Sequence, residues 1–122
     1  MKSFKITLCT LTAFLLMHSN AFAQANLPKG DASTAALVDL CKNLDDVDGQ
    51  NFCFGFGEGV YQGYLANLNA KGKPTICFSS NTETREDVLR AFLRWNQVNP
   101  QFNQERAAKT LMRFFEAKYP CK

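Results

Sequence analysis

The side chains of this sequence with most scope for chemistry are its cysteines and two groups of carboxylates. Five cysteines are present, and four of them follow the amino-terminal stretch 1–23: Cys41, Cys53, Cys77 and Cys121. The one histidine, His18, lies within that stretch. A serine–histidine or cysteine–histidine catalytic pair therefore cannot form in the rest of the chain.

Two groups of carboxylates remain as candidates for acid–base chemistry. They are Asp45, Asp46 and Asp48, and Glu83, Glu86 and Asp87. A glycosidase can work with two carboxylates alone. However, the first group lies in a predicted turn, and the second lies where negative charge stabilises the start of a helix. Neither shows the apolar surroundings that raise a carboxyl pKa, so we predict structural roles and no enzymatic activity.

The first residues have the pattern of a secretory signal peptide over 1–23. Lys2 and Lys5 precede the apolar run 6–17, and Ala21-Phe22-Ala23 supplies small residues at a cleavage site. The run is shorter than the roughly 20 residues of a membrane-spanning helix. We predict cleavage after Ala23 and location in an oxidising compartment, with a retained anchor helix as the alternative.

The charge balance excludes several classes of partner. The chain has 14 basic and 11 acidic residues, and Lys2 and Lys5 leave with the leader. The remainder, 24–122, is nearly neutral, which argues against nucleic acid and anionic membranes. It is one small domain with a limited core, so disulfides matter for its stability. We predict no cofactor, no bound metal and no membrane span after cleavage.

The apolar periodicity predicts an all-α fold, a small four-helix bundle of roughly two helical hairpins. A flexible tail is expected over 24–31 and a helical domain over 32–122. The expected helices cover about 32–43, 51–69, 83–97 and 105–118.

Local signals mark the expected helix starts. Asp31 or Ser33 is expected to cap the first helix, and residues 45–49 form a predicted turn before the second. Ser80 with Glu83 fits a capping box before the third helix.

Glycines recur within the second predicted helix. Gly55, Gly59 and Gly63 are spaced by four and share one helical face. Each weakens a helix by about 1 kcal/mol relative to alanine, so we predict that another helix packs closely on this face. The alternative, a phosphate-binding loop, lacks the GxGxxG spacing and a preceding strand.

An even set of cysteines in a short exported chain is typical of disulfides. A zinc site is the alternative, but no two of these cysteines form a close CxxC pair. A short turn brings Cys41 near Cys53, and a hairpin of helices three and four returns Cys121 to Cys77. We therefore predict Cys41–Cys53 and Cys77–Cys121 rather than the other two pairings. The chain-entropy model gives them roughly 3 and 4 kcal/mol.

An ordered set of short motifs resembles a known family. They are Phe52-Cys53-Phe54-Gly55-Phe56, Gly59, Gly63-Tyr64, Ile76-Cys77-Phe78, Thr82, Val88, Phe92-Leu93, Asn99-Pro100, Ala107-Ala108, Leu111, Phe114 and Tyr119-Pro120-Cys121. Over about Leu37 to Cys121 the chain is similar to the Rap/Tai-type immunity proteins of type VI secretion. One departure is Ser79-Ser80-Asn81, where many relatives are expected to have a proline-containing link.

The resemblance implies a small helical periplasmic protein that binds a toxin and blocks it sterically. The toxins of such proteins are often peptidoglycan amidases delivered by neighbouring cells. The resemblance also implies that a homodimer is one state open to the protein.

The resemblance does not transfer the residues that contact the toxin. Our candidates lie between helices three and four, where aromatic and amide side chains suit an interface. They are Trp95, Asn96, Asn99, Gln101, Phe102 and Asn103. In the alternative interpretation, Trp95 and Phe102 close the core while the amides are solvated. Lys71 and Lys73 form a second candidate loop.

A small periplasmic holdase chaperone of the acid-stress type is the alternative function. Such a protein is also helical and disulfide-bonded, and it exposes apolar surface as the pH falls. Suppressed light scattering from an unfolding client at about pH 2 to 3, where carboxylates become protonated, would favour it.

Overall fold

Four α-helices form the part of the fold that the structure describes. The computed structural model describes residues 31–69, 72–78 and 83–122. The helices are α1 (Thr34–Cys41), α2 (Val47–Ala66), α3 (Arg85–Gln97) and α4 (Ala107–Lys118), with a short 3-10 helix (Pro100–Phe102) after α3. The described residues contain two isolated β-bridges and no strand. The predicted all-α bundle is confirmed. The predicted leader, its cleavage site and residues 24–30 of the predicted tail lie outside the described residues.

The amino-terminal caps decide where the first two helices begin. Ser33 Oγ accepts a hydrogen bond from the Ala36 amide at 3.2 Å, so α1 begins at Thr34. Asp46 Oδ1 accepts from the Gly49 amide at 2.9 Å, so α2 begins at Val47. The predicted turn over 45–49 is therefore wrong in its second half, which is the first turn of α2.

The capping box of α3 differs from the predicted one. The Asp87 amide donates to Thr84 Oγ1 at 3.2 Å, and the Thr84 amide donates to Asp87 Oδ2 at 3.0 Å. The predicted Ser80–Glu83 box is wrong, because this reciprocal pair lies four residues later and α3 begins at Arg85.

The core lies where all four helices meet. Its largest fully buried side chains are Phe92, Phe114 and Ile76. A buried polar contact joins α1 to α4, since the Thr34 hydroxyl lies 2.7 Å from the Thr110 hydroxyl. Both threonines are fully buried, so this contact fixes the register of the two helices.

Each disulfide holds one helical hairpin. Cys41–Cys53 joins α1 to α2, and Cys77–Cys121 joins the extended segment before α3 to the chain end after α4. Beside the second disulfide, the Cys77 amide donates to the Tyr119 carbonyl at 2.8 Å. The pairing is the one that the helix order predicts.

The glycine face of α2 requires a correction. Gly55, Gly59 and Gly63 are exposed, and a Cβ atom added at any of them would meet no heavy atom within 4 Å. The prediction that another helix packs closely on this face is therefore wrong for the described residues of one chain. The physical reason is that α2 packs on the bundle through its opposite side, which carries Cys53 and Tyr61.

Candidate functional site

The predicted contact residues between α3 and α4 come together, and their rings pack on one another. Trp95 stacks on Phe102 with centroids 5.6 Å apart and ring planes at 3°. Trp95 also lies 5.8 Å from the ring of Phe114 in the core. The Arg113 guanidinium carbon lies 5.0 Å from the Phe102 centroid. The two candidate aromatics are therefore both half-buried.

The amides of this region bond mainly to each other and to the backbone. Asn96 is 5% exposed, and its Nδ2 donates to Asn103 Oδ1 at 3.0 Å. Asn99 Nδ2 donates to the Trp95 carbonyl at 2.8 Å. Gln101 Nε2 donates to Asn99 Oδ1 at 3.3 Å. Of the six candidate residues, Gln101 alone is exposed. We call the region 95–103 the closed end of α3.

Backbone carbonyl groups at the end of this region and just after it accept hydrogen bonds from the first amides of α1. The Ala35 amide donates to the Asn103 carbonyl at 3.0 Å, and the Thr34 amide donates to the Glu105 carbonyl at 2.8 Å. The Glu105 carboxylate pairs with Arg113 Nε at 3.0 Å. This guanidinium lowers the pKa of Glu105 below its ordinary value. The closed end therefore lies among contacts that hold α1, α3 and α4 together.

The other end of α3 borders an open groove that no sequence motif indicated. The groove has a volume of about 310 Å³, which lies at the lower limit for ligand pockets. Buried Phe92, Leu111 and Phe115 lie at its base. Its other lining residues are Leu37, Cys41, Cys53, Phe54, Gly57, Glu58, Tyr61, Phe78, Glu83, Arg85, Val88 and Leu89.

Gly57 forms part of the α2 wall of this groove. It is half-buried, and a Cβ atom built on it would meet no heavy atom within 4 Å. Glycine inside a helix costs about 1 kcal/mol relative to alanine. The free space beside Gly57 is the groove itself, so the absence of a side chain here keeps the groove wide.

Three charged residues line the groove: Glu58, Glu83 and Arg85. The Arg85 guanidinium carbon lies 4.5 Å from the centroid of the Phe54 ring, and its Nε is 3.0 Å from Glu86 Oε1. The hydrogen bond from Arg85 lowers the pKa of the Glu86 carboxyl, which therefore stays ionised and offsets the charge of Arg85.

The two glutamates of the groove have neutral partners. Glu58 Oε1 accepts from Gln62 Nε2 at 2.7 Å, and Glu83 Oε1 accepts from the Tyr119 hydroxyl at 2.9 Å. Burial, together with this hydrogen bond, raises the pKa of Tyr119. Across the described ranges, neither glutamate forms an ion pair. The charge around the groove is therefore negative on balance.

Two of the carboxylates considered for catalysis, Asp46 and Asp87, have structural roles at the starts of helices. Asp46 caps α2. The amide and hydroxyl of Thr84, together with Arg90, lower the pKa of Asp87 to about 2. A carboxyl group with so low a pKa is a poor general acid near neutral pH. The described part of the chain holds no group of three or more side chains suited to a metal ion.

The second candidate loop, with Lys71 and Lys73, is described only in part. Lys73 is exposed in the extended segment before α3, and Lys71 lies outside the described residues. Within the described ranges, no helix is both long enough and apolar enough to cross a bilayer.

Comparison with known proteins gives one informative match. The family model of the Rap1a immunity proteins matches residues 33–121, which include all four helices and both disulfides. No curated protein and no solved structure in the comparisons matches the chain. Because the family match covers well over half of the sequence, this chain belongs to the Rap1a immunity protein family.

Proposed function

We propose that this protein binds a cognate toxin and inhibits it by covering the toxin's substrate site. The observation that carries the proposal is the family match across residues 33–121. The finer parts of the proposal are that the protein acts in the periplasm after cleavage at Ala23, and that the toxin is a peptidoglycan amidase delivered by type VI secretion. These parts rest on the predicted leader and on the sequence resemblance.

The physical properties of the domain suit a protein that acts by binding. Two disulfides limit the motion of the helices, so little conformational entropy is lost on association. Steric inhibition needs no acid, base or nucleophile. It needs a rigid surface that fits the toxin.

The experiment uses the predicted exported form, residues 24–122, and candidate peptidoglycan amidases as the toxin. Calorimetric titration measures binding, and release of peptides from purified peptidoglycan measures toxin activity. We expect a tight complex in which the toxin is inactive, and no turnover by this protein alone. A toxin that stays fully active with excess protein, or cleavage of peptidoglycan by this protein itself, would contradict the proposal.

The closed end is the contact surface proposed from the sequence. Gln101 offers the accessible side chain there, so Gln101→Ala tests the surface with little effect on the fold. The resemblance leaves both a monomer and a homodimer open, and light scattering after size-exclusion chromatography would distinguish them directly.

A further inference from the structure

The groove beside α3 is bordered on the α2 side by a glycine, a residue that weakens a helix. Here the base of an open groove of about 310 Å³ is formed by core residues such as Phe92, Leu111 and Phe115. Alanine in place of Gly57 would both strengthen α2 and fill part of this space. The groove is therefore a feature that local stability alone does not favour.

We infer that the groove is a docking site for a large apolar side chain of the toxin that is flanked by a lysine or an arginine. This inference rests on the proposed function and names the surface through which it operates. Interfaces gain most of their affinity from a few anchoring side chains that fill well-packed pockets. The volume of the groove suits one such anchor, since drug-sized ligands occupy larger sites.

The charges around the groove favour a basic residue of the toxin beside its anchoring side chain. Glu58 and Glu83 have no cationic partner among the described residues, whereas Arg85 is paired with Glu86. A basic residue next to the anchor would therefore meet unpaired negative charge, and an acidic one would be repelled.

A second copy of this chain is a poorer occupant. Among the residues that the structure describes, its exposed large apolar side chains are Leu44, Val47 and Val98. Leu44 and Val47 stand among three aspartates of the 45–48 segment, so they would bring like charge to the groove. Val98 is too small to fill it.

The test compares two glycines of α2. Gly57→Leu places a side chain in the groove, while Gly59→Leu places the same side chain on the exposed face. Both changes replace glycine by a good helix former, so they share their effect on helix propensity. We expect Gly57→Leu to weaken toxin binding at least about tenfold and Gly59→Leu to change it less than about twofold.

A charge reversal at Glu58 tests the negative charge beside the groove without placing a side chain in it. Glu58→Lys should lower the affinity for the toxin about tenfold at low salt, with a smaller loss at high salt because salt screens the repulsion. The control is Glu116→Lys, because the Glu116 side chain of α4 is exposed and does not line the groove. It makes the same change in net charge. Thermal unfolding of each variant shows that it is folded.

The outcomes separate this inference from the proposed function. If the wild-type protein inhibits the toxin and both Gly57→Leu and Glu58→Lys bind it as tightly, the inference is overturned and the proposed function stands. If the wild-type protein neither binds nor inhibits the toxin, both are overturned. If Gly57→Leu dissociates a dimer in the absence of toxin, the occupant is a second copy and the inference is overturned.

Discussion

The two ends of α3 (Arg85–Gln97) show opposite ways of using aromatic side chains. At the closed end, Trp95 stacks on Phe102 and the neighbouring amides bond to one another. At the other end, Phe54 lines an open groove with charged residues beside it. Residues that satisfy each other contribute to the stability of the domain, whereas residues that border empty space remain available to a partner. Substitutions at the two ends should therefore affect different measurements.

The largest expected effect is the loss of the Cys77–Cys121 disulfide, which holds Phe78 beside the groove. Replacing both cysteines by alanine, which puts no hydroxyl group at the buried Cys41 and Cys53 sites in the matched variant, should lower the free energy of unfolding by about 4 kcal/mol, because the disulfide closes the longer loop. The matched change at Cys41 and Cys53 should lower it by about 3 kcal/mol. Urea unfolding measures both. A larger loss at Cys41 and Cys53 would contradict the loop-length argument.

The next effect contrasts one ring from each end. Trp95→Ala removes the stack on Phe102 and the contact with Phe114, so it should lower the free energy of unfolding by about 3 kcal/mol. Phe54→Ala should lower it by only about 1 kcal/mol, because one side of that ring faces the groove. Urea unfolding of the two variants checks the contrast. Equal losses would show that the groove end is as tightly packed as the closed end.

A smaller effect sharpens the description of the groove. Gly57→Ala and Gly59→Ala should each raise the free energy of unfolding by about 1 kcal/mol, because alanine favours the helix and its Cβ meets no neighbour at either position. Thermal unfolding measures both changes. Destabilisation by Gly57→Ala alone would mean that the groove closes around Gly57 in solution.

The smallest expected effect concerns pH and the cap of α3 beside the groove. Hydrogen bonds from Thr84, together with Arg90, lower the pKa of Asp87 from 3.8 to about 2. Because this pKa is lower in the folded state, the ionised carboxylate stabilises the fold above about pH 4, and this contribution is lost as the pH falls through about 2. Asp87→Asn should therefore unfold at a lower temperature than wild type at neutral pH, with a difference that shrinks between about pH 4 and 2. A difference that stays constant with pH would contradict this assignment.

Sequence reasoning identified the elements of the fold more reliably than it identified surfaces. The four helices, the Ser33 cap and the cysteine pairing follow from local periodicity, side-chain chemistry and chain order. The capping box was misplaced because Ser80–Glu83 and Thr84–Asp87 offer nearly the same pattern four residues apart.

The candidate surfaces were harder to predict because they depend on how the helices pack. The aromatic and amide composition of 95–103 is the same whether these residues contact a partner or each other. The groove arises from the space between α2 and α3, and a glycine such as Gly57 does not reveal which face it occupies. The interleaved Phe54 and Phe56 were one available signal, but Phe54 lines the groove and Phe56 does not.

The contact between α1 and the backbone at 103–107 has a consequence for the order of events during synthesis. Thr34 meets Glu105 and Thr110, which are 71 and 76 residues away along the chain. Because the amino-terminal part of a chain is made first, α1 emerges long before the residues on which it docks. Cys41 and Cys53 are only 12 residues apart and can join early, whereas Cys77 must wait for Cys121, which is 44 residues further along the chain. The α1 helix therefore stays undocked until residues 105–110 have been made, so the amino-terminal part of the domain cannot complete its packing on its own.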